Sequence, residues 1–222
     1  MPSRFHAVVV DKLLEFYDQG IPQVFERNVS LGSLQKPARS NLVQVIVGVR
    51  RCGKTYRLYQ EMHRILEAGY DLDSILYFNF DDERLKPYET AVLDDVVESY
   101  YAMYPRAKSQ GAFFFFDEIQ EVPEWGAFMR RMVDSQVVTM YVTGSSSKML
   151  SLNLATEFRG RALSREVFPM SFAEYARFHG CCVSEGVLER EGEPSSSERA
   201  YLRNACRAYL LEGGFIAAQG LS

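Results

Sequence analysis

The chain has 222 residues, of which 47% are apolar and 24% charged, and its net charge is −4. These values are typical of a globular protein with a core, and they exclude a protein that binds nucleic acid over its whole surface, which would be basic. No apolar run reaches the ~20 residues of a membrane-spanning helix, and the apolar stretch at residues 7–10 is too short for a signal peptide. The four cysteines show neither disulfide nor zinc spacing, so we expect a cytoplasmic protein.

The beginning of the chain predicts one helix and an irregular connection. Apolar spacing indicates a helix over residues 8–19, and Gly20 is a typical end for it. Residues 21–40 show no regular period. We expect residues 1–40 to pack on the following domain as a helix and a strap.

Residues 41–168 alternate short apolar runs with segments of helical spacing. The predicted strands are 42–47, 74–80, 112–116, 137–142 and 163–168, and the predicted helices are 55–68, 91–104 and 125–135. Alternation of this kind favours right-handed crossovers and a parallel sheet. We therefore predict an α/β fold with a parallel five-stranded sheet flanked by helices, whose ligand lies at the carboxyl ends of the strands.

The last part of the chain, residues 169–222, has a different character. Helical spacing covers residues 172–178 and 200–211, and a charged stretch with Gly, Pro and Ser at 189–197 predicts a loop between them. The chain ends without a clear final element, which suggests a fragment of a longer protein.

A phosphate-binding motif follows the first predicted strand. The pattern G-x-x-x-x-G-K-[ST] is matched by Gly48-Val49-Arg50-Arg51-Cys52-Gly53-Lys54-Thr55, with a predicted helix after it. The glycines let backbone N–H groups wrap around phosphates, and the helix directs its positive end at them. Lys54 would add charge at the β and γ oxygens, and the Thr55 hydroxyl would ligate Mg²⁺. A chance glycine turn is the alternative.

The nucleotide is expected to contact one continuous segment. Its residues are Gly48, Val49, Arg50, Arg51, Cys52, Gly53, Lys54, Thr55 and Tyr56. For Arg50 and Arg51, solvent exposure is as good an interpretation as phosphate contact. No Asn-Lys-x-Asp run exists in the chain, which argues against a guanine-specific GTPase. The predicted ligands are therefore ATP and Mg²⁺.

Two carboxylates follow the run of phenylalanines at the end of the third predicted strand. Asp117 is placed to hold Mg²⁺, as a carboxylate at the end of a neighbouring strand does in such proteins. Glu118 can act on the attacking water as a general base, and we name it with Lys54 as catalytic. A solvent-exposed helix cap is the alternative for Glu118.

Polar residues also follow the fourth predicted strand. Ser145, with Thr143 as the second choice, could hydrogen-bond the γ-phosphate or the attacking water. A turn or helix cap before residue 148 explains the same residues equally well.

Two arginines are candidates for neutralising charge in the transition state. They are Arg159 and Arg161, of which Arg161 is preferred. The arginine could act within the chain or across a subunit interface, and the second case requires a homo-oligomer. A surface ion pair is the alternative. The acidic run 81–83 admits a second metal site, although a solvated turn and helix cap is the better interpretation.

With these residues placed, the sequence resembles the AAA+-type P-loop ATPases of the bacterial and archaeal ATP-binding protein group. The segments that carry the resemblance are 47–55, 77–82, 116–120, 143–146, 159–161 and 168–174. The resemblance implies a P-loop NTPase core at 41–168, an added strand between the phosphate-loop strand and the Asp117 strand, and a small helical lid at 169–222. The segment Gly213-Gly214-Phe215 resembles the point where the family's C-terminal domain begins, so that domain is expected to be absent or cut off here.

Two functions fit these residues. The first is an ATPase that couples Mg²⁺-dependent hydrolysis to a conformational change. The second is a nucleotide-gated interaction switch that binds ATP and hydrolyses it rarely. A small-molecule kinase is weaker, because no acceptor pocket can be recognised. The sequence does not identify the macromolecular partner, whether protein or nucleic acid.

Overall fold

The computed structural model describes residues 4–145, 160–181, 183–188 and 192–219. Within them, five strands form one sheet: β1 (Val43–Gly48), β2 (Ile75–Asn79), β3 (Ala112–Asp117), β4 (Val138–Ser145) and β5 (Ala162–Glu166). Their order is β2-β3-β4-β1-β5, and every neighbouring pair is parallel. β4 is thus the added strand between β1 and β3. The predicted α/β P-loop NTPase fold is confirmed.

Helices connect and flank the strands. They are α1 (His6–Gln19), α2 (Lys54–Glu67), α3 (Ala91–Met103), α4 (Pro105–Gln110), α5 (Trp125–Ser135), α6 (Phe172–Phe178), α7 (Glu185–Leu188) and α8 (Ser196–Glu212). Short 3-10 helices lie at Leu72–Ser74, Glu83–Leu85, Ile119–Glu121 and Ile216–Ala218. In the described part of the chain, no helix is both long and apolar enough to cross a membrane.

The structure differs from the predicted elements at several places, some of which have a local cause. Pro105 follows α3 and begins α4, a helix that was not predicted. Its fixed φ suits the first position of a helix. α8 begins at Ser196 rather than at residue 200, since Ser195 and Glu198 form a capping box. β4 continues to Ser145, where it still pairs with β1.

The phenylalanines of β3 supply the core on both faces of the sheet. All six residues of β1 and all six of β3 are buried, which is the pattern of parallel strands covered by helices on both sides. Phe114 and Phe116 belong to the apolar cluster that includes residues of α3 and α5. Phe113 and Phe115 belong to the cluster on the α2 side. The sheet therefore holds its strand ends rigidly.

The register brings the carboxyl ends of β1, β4 and β3 to one edge. Gly48 at the end of β1 lies opposite Ser145 of β4. Phe116 lies opposite Val142 in the next pairing, so Asp117 and Thr143 follow side by side. The loop after β1 and the carboxylates after β3 therefore face the same region, as the rule for open α/β sheets predicts.

A buried arginine joins the N-terminal strap to the phosphate loop and to the C-terminal helices. Arg27 is 3% exposed. Its Nε lies 2.9 Å from Glu174 Oε1 at the start of α6. Its two Nη groups donate to the carbonyl oxygens of Cys52, at 2.9 Å, and of Phe168, at 2.8 Å. Three separate segments thus meet at one guanidinium.

Candidate nucleotide-binding site

The loop between β1 and α2 is built around two glycines. An ideal Cβ on Gly48 would lie 2.3 Å from the carbonyl oxygen of Val167 and 2.6 Å from Cys52 Sγ, so a side chain does not fit there. Gly53 has φ 100°, a backbone conformation that residues with a Cβ rarely adopt. α2 begins immediately after it at Lys54, and the first N–H groups of a helix have no intrahelical acceptor. The loop is therefore a tight turn that leads directly into the N-terminus of α2.

Arg27 braces this loop from behind. Its Nη1 donates to Cys52 O inside the loop, and a Cβ on Gly53 would lie 2.8 Å from the same nitrogen. Nothing in the sequence singles out Arg27, because the strap around it has no periodic pattern. Its charge does not distinguish it either, because the same segment contains Glu26, Lys36 and Arg39.

Lys54 and Glu118 form an ion pair across the mouth of the loop. Lys54 Nζ lies 3.2 Å from Glu118 Oε1, and the side chains are 3% and 22% exposed. The same nitrogen lies 3.4 Å from the carbonyl oxygen of Val49. Two of the three candidate catalytic residues, Lys54 and Glu118, are therefore in direct contact.

Asp117 is the buried centre of a hydroxyl network. It is fully buried, and Thr55 donates a hydrogen bond of 2.7 Å to its Oδ2. Thr143 donates to the other oxygen, Oδ1, and the Tyr77 hydroxyl lies 3.3 Å from Oδ2. Burial raises the pKa of Asp117, and the hydrogen bonds from Thr143 and Thr55 offset part of that rise. A buried carboxylate beside a threonine hydroxyl supplies the hard oxygen ligands that Mg²⁺ prefers, so the predicted pair fits that ion.

Glu118 occupies an unusual backbone conformation that directs its side chain to Lys54. Its φ is 52° and its ψ 42°, in the left-handed region. Its N–H donates to Thr143 Oγ1 at 3.0 Å, and its Oε2 accepts from Gln120 Nε2 at 2.7 Å. No side-chain cap bond is formed at the start of the helix Ile119–Glu121. The alternative that Glu118 is a solvent-exposed cap does not describe this arrangement.

Comparison with known families agrees with this geometry. A family model described as "AAA domain" matches residues 40–176, which is more than half of the chain and includes the loop and both carboxylates. The chain belongs to the AAA domain family. It is therefore a nucleotide-binding domain of the ATPase type, and the resemblance to AAA+-type P-loop ATPases is confirmed.

Relatives of this AAA domain are longer proteins. MJ1544 of Methanocaldococcus jannaschii is 37% identical over 175 residues, which are 79% of this chain and 36% of MJ1544. A protein of Haemophilus influenzae is 30% identical over 136 residues, or 61% of this chain and 33% of that protein. The chain thus spans about a third of the length of these relatives. Among solved structures, Hsp104 of S. cerevisiae in a casein complex gives a TM-score of 0.48 at 14% identity, covering 81% of this chain and 33% of the Hsp104 chain.

Thr143 and Ser145, the two candidates for contact with the γ-phosphate or the attacking water, occupy different positions on β4. Thr143, the second choice, is fully buried and contacts both Asp117 and the Glu118 amide. Ser145 lies opposite Gly48 at the end of the strand, beside the loop. Both residues belong to β4 itself, and residues 146–150, where a following turn or cap was considered, lie outside the described residues.

Arg161 lies at the opposite edge of the sheet from the loop. Its carbonyl oxygen accepts from the N–H of Val43, the first residue of β1. The phosphate loop begins at the other end of that strand, ~16 Å away at ~3.3 Å per residue. The Arg161 side chain pairs with Asp134, and both are about half exposed. Within one chain Arg161 is a surface ion pair, whereas a role across an interface stays a prediction. Arg159 lies outside the described residues.

Part of the predicted nucleotide-contacting segment lines a solvent-open pocket beside the loop. It has a volume of about 610 Å³ and is lined by Arg51, Gly53, Lys54, Thr55, Tyr56, Glu118, Ile216 and Ala217. Val49 and Tyr56 are 45% and 46% exposed, Arg50 and Arg51 are also exposed, and Cys52 is buried. The short helix Ile216–Ala218 therefore lies beside the AAA domain's phosphate loop. This contact was not predicted from the sequence. The preceding glycine pair, Gly213 and Gly214, was the available signal for a tight return of the chain.

Proposed function

We propose that this AAA domain binds Mg·ATP at the loop after β1 and hydrolyses it, and that hydrolysis drives a conformational change. One observation carries the proposal. The carboxylate of Glu118 lies 3.2 Å from Lys54 Nζ, in the pocket that the first turn of α2 also lines. A phosphate-binding cation and a candidate general base are thereby held within reach of one substrate group.

Binding would use the backbone amides of the loop together with three side chains. Lys54 would contact the β and γ phosphate oxygens, and the hydroxyl of Thr55 and the carboxylate of Asp117 would hold Mg²⁺. Bound Mg²⁺ would supply positive charge that neutralises the phosphate oxygens. The Thr143 hydroxyl, hydrogen-bonded to Asp117, would keep that carboxylate oriented.

Glu118 would act as the general base once Lys54 is engaged by phosphate. A triphosphate carries more negative charge than a single carboxylate, so it would compete effectively for the lysine. Glu118 Oε1 would then be free to take the proton of the attacking water. The left-handed backbone at Glu118 and the hydrogen bond of its N–H to Thr143 would hold the carboxylate in place during this exchange.

A route for the conformational change leads through Arg27. Any shift of the loop at Cys52 would strain the guanidinium, which also binds Glu174 of α6 and Phe168 O. We accordingly divide the chain into a helix and strap at 1–40, the ATPase core at 41–168, and a helical lid at 169–222 that follows the loop through this contact.

The test is the Glu118→Gln variant. The amide cannot accept the water's proton, so the rate of phosphate release from Mg·ATP should fall by ~10²–10⁴-fold while ATP binding is retained. Phosphate release and calorimetric binding would be measured side by side, with Glu67→Gln at the exposed end of α2 as the matched control. Undiminished turnover in Glu118→Gln would refute the assigned role.

The Lys54–Glu118 ion pair also favours a second candidate, a nucleotide-gated interaction switch. If the pair re-forms readily, the base is withdrawn and turnover is slow. ATP binding without phosphate release over hours, in wild-type protein with and without added DNA, would support the switch over the ATPase.

A further inference from the structure

Gln120 contacts the candidate general base, Glu118, directly. It lies in the helical turn Ile119–Glu121, two residues after Glu118. Its Nε2 is 2.7 Å from Glu118 Oε2 and 3.3 Å from Glu121 Oε1. Within the described residues, its own Oε1 is buried and has no hydrogen-bond partner. The shorter of its two bonds goes to Glu118.

The two oxygens of the Glu118 carboxylate have different partners. Oε1 faces Lys54, whereas Oε2 accepts the hydrogen bond from Gln120. If Lys54 turns to bound phosphate, the Gln120 amide is the remaining partner of the carboxylate that the structure describes. A carboxylate held at one oxygen presents the other in a fixed direction.

The local backbone is arranged to make this contact. The left-handed conformation at Glu118 folds the chain back, and the N–H of Glu121 closes the turn on the carbonyl oxygen of Glu118 at 3.2 Å. The same conformation aims the Glu118 N–H at Thr143 Oγ1. Glu118 is thereby fixed through its backbone to β4 and through its side chain to Gln120.

The buried amide oxygen of Gln120, which has no hydrogen-bond partner among the described residues, argues for a positioning role and against a packing role. Burying an acceptor without a partner is unfavourable, and an apolar side chain of similar size would avoid that cost. Exchanging the two ends of the amide would set its oxygen against the carboxylate, which repels it. The hydrogen bond that Gln120 donates to Glu118 therefore offsets the cost of burying its unpaired amide oxygen.

We propose that Gln120 is a positioning residue for hydrolysis, holding Glu118 Oε2 so that Oε1 faces the attacking water. The inference rests on the proposed ATPase function. In the step it serves, the water oxygen bonds to the γ-phosphorus and its proton passes to Glu118 Oε1. The bond from the γ-phosphorus to the β–γ bridging oxygen breaks, and its electron pair leaves with ADP. Gln120 exchanges no proton.

The test replaces the donor while keeping the size of the side chain. Gln120→Met and Gln120→Glu should lower kcat for phosphate release by about tenfold or more, because the base loses its orientation, while the Kd for Mg·ATP changes less than twofold. Gln110→Met, at the exposed end of α4, is the matched control.

The possible outcomes distinguish a failure of the Gln120 positioning role from a failure of the proposed ATPase function. If wild-type protein releases phosphate and Gln120→Met matches it in kcat, the positioning role is wrong although the ATPase stands. If wild-type protein binds ATP and releases no phosphate, the ATPase proposal fails and the inference fails with it. Weakened ATP binding and lower thermal stability in both variants, with kcat falling no more than the Kd for Mg·ATP rises, would show a merely structural residue and overturn the inference.

Discussion

The central sheet and the last helix of this AAA domain are held by different forces. Every residue of β3 is buried, including four consecutive phenylalanines. In α8 none of the 17 residues is buried, and Leu210 and Leu211 are 76% and 88% exposed. Apolar burial therefore fixes the strand ends that carry the site, whereas α8 is held by other contacts.

Directional polar contacts join the parts of the C-terminal region to one another and attach this region to the N-terminal strap. Met170 donates its N–H to Gly214 O at 2.7 Å and accepts from the Tyr209 hydroxyl at 2.8 Å. A Cβ on Gly214 would lie 2.2 Å from Met170 O, so this approach requires glycine. The ion pair of Arg27 with Glu174 completes the attachment.

The largest expected effect on stability lies in the sheet. Phe114→Ala removes a fully buried ring and should lower the free energy of unfolding by ~3–5 kcal/mol, because the cavity cannot collapse in a packed sheet. Leu211→Ala, at an exposed position of α8, should stay within ~0.5 kcal/mol. Urea unfolding of both variants measures the contrast. Similar losses would show that the exposed face of α8 is covered in solution.

Breaking the buried ion pair should have the next largest effect. Arg27→Met leaves the carboxylate of Glu174 buried without its cation and should cost about 3 kcal/mol. Arg131→Met removes an exposed pair with Asp94 and should cost less than ~1 kcal/mol. Urea unfolding again provides the measurement. Adding Glu174→Gln to Arg27→Met should recover part of the loss, and a purely additive double variant would contradict the coupling.

The smallest expected effect is a pH dependence that arises from Glu174. Burial by itself raises the pKa of Glu174, but hydrogen bonds from Arg27, Ser171 and Asn28 outweigh it and lower the pKa below its ordinary value. The unfolded state therefore takes up the proton first, near its ordinary pKa of ~4.3. Stability from this group is complete above that pH and is lost as the pH falls through the lowered folded value.

Unfolding measured from pH 7 down to about pH 3, which crosses the pKa of the unfolded state, would detect this contribution by difference. The free energy of unfolding of wild-type protein should fall more steeply below about pH 4.5 than that of Glu174→Gln, because the other carboxylates titrate alike in both. Parallel curves would indicate that the carboxylate of Glu174 gains nothing from its partners.

The sequence by itself determined the sheet and the part of the site that is local in the chain. Buried apolar runs separated by helical spacing predict parallel strands, because each must be covered on both faces. The loop from Gly48 to Thr55 needs only a strand before it and a helix after it. Asp117 and Glu118 follow a strand directly, so their place at the carboxyl edge needs no knowledge of distant residues.

Only the tertiary structure decided which distant groups join that local frame. The insertion of β4 between β1 and β3 places Thr143 on Asp117, and the path of the strap places Arg27 behind the loop. The same folding puts Arg161 at the far edge of the sheet and Ile216 beside Gly53. No spacing in the sequence encodes these contacts, because each depends on strand order and on irregular segments whose course is set by hydrogen bonds across the fold rather than by periodicity along it.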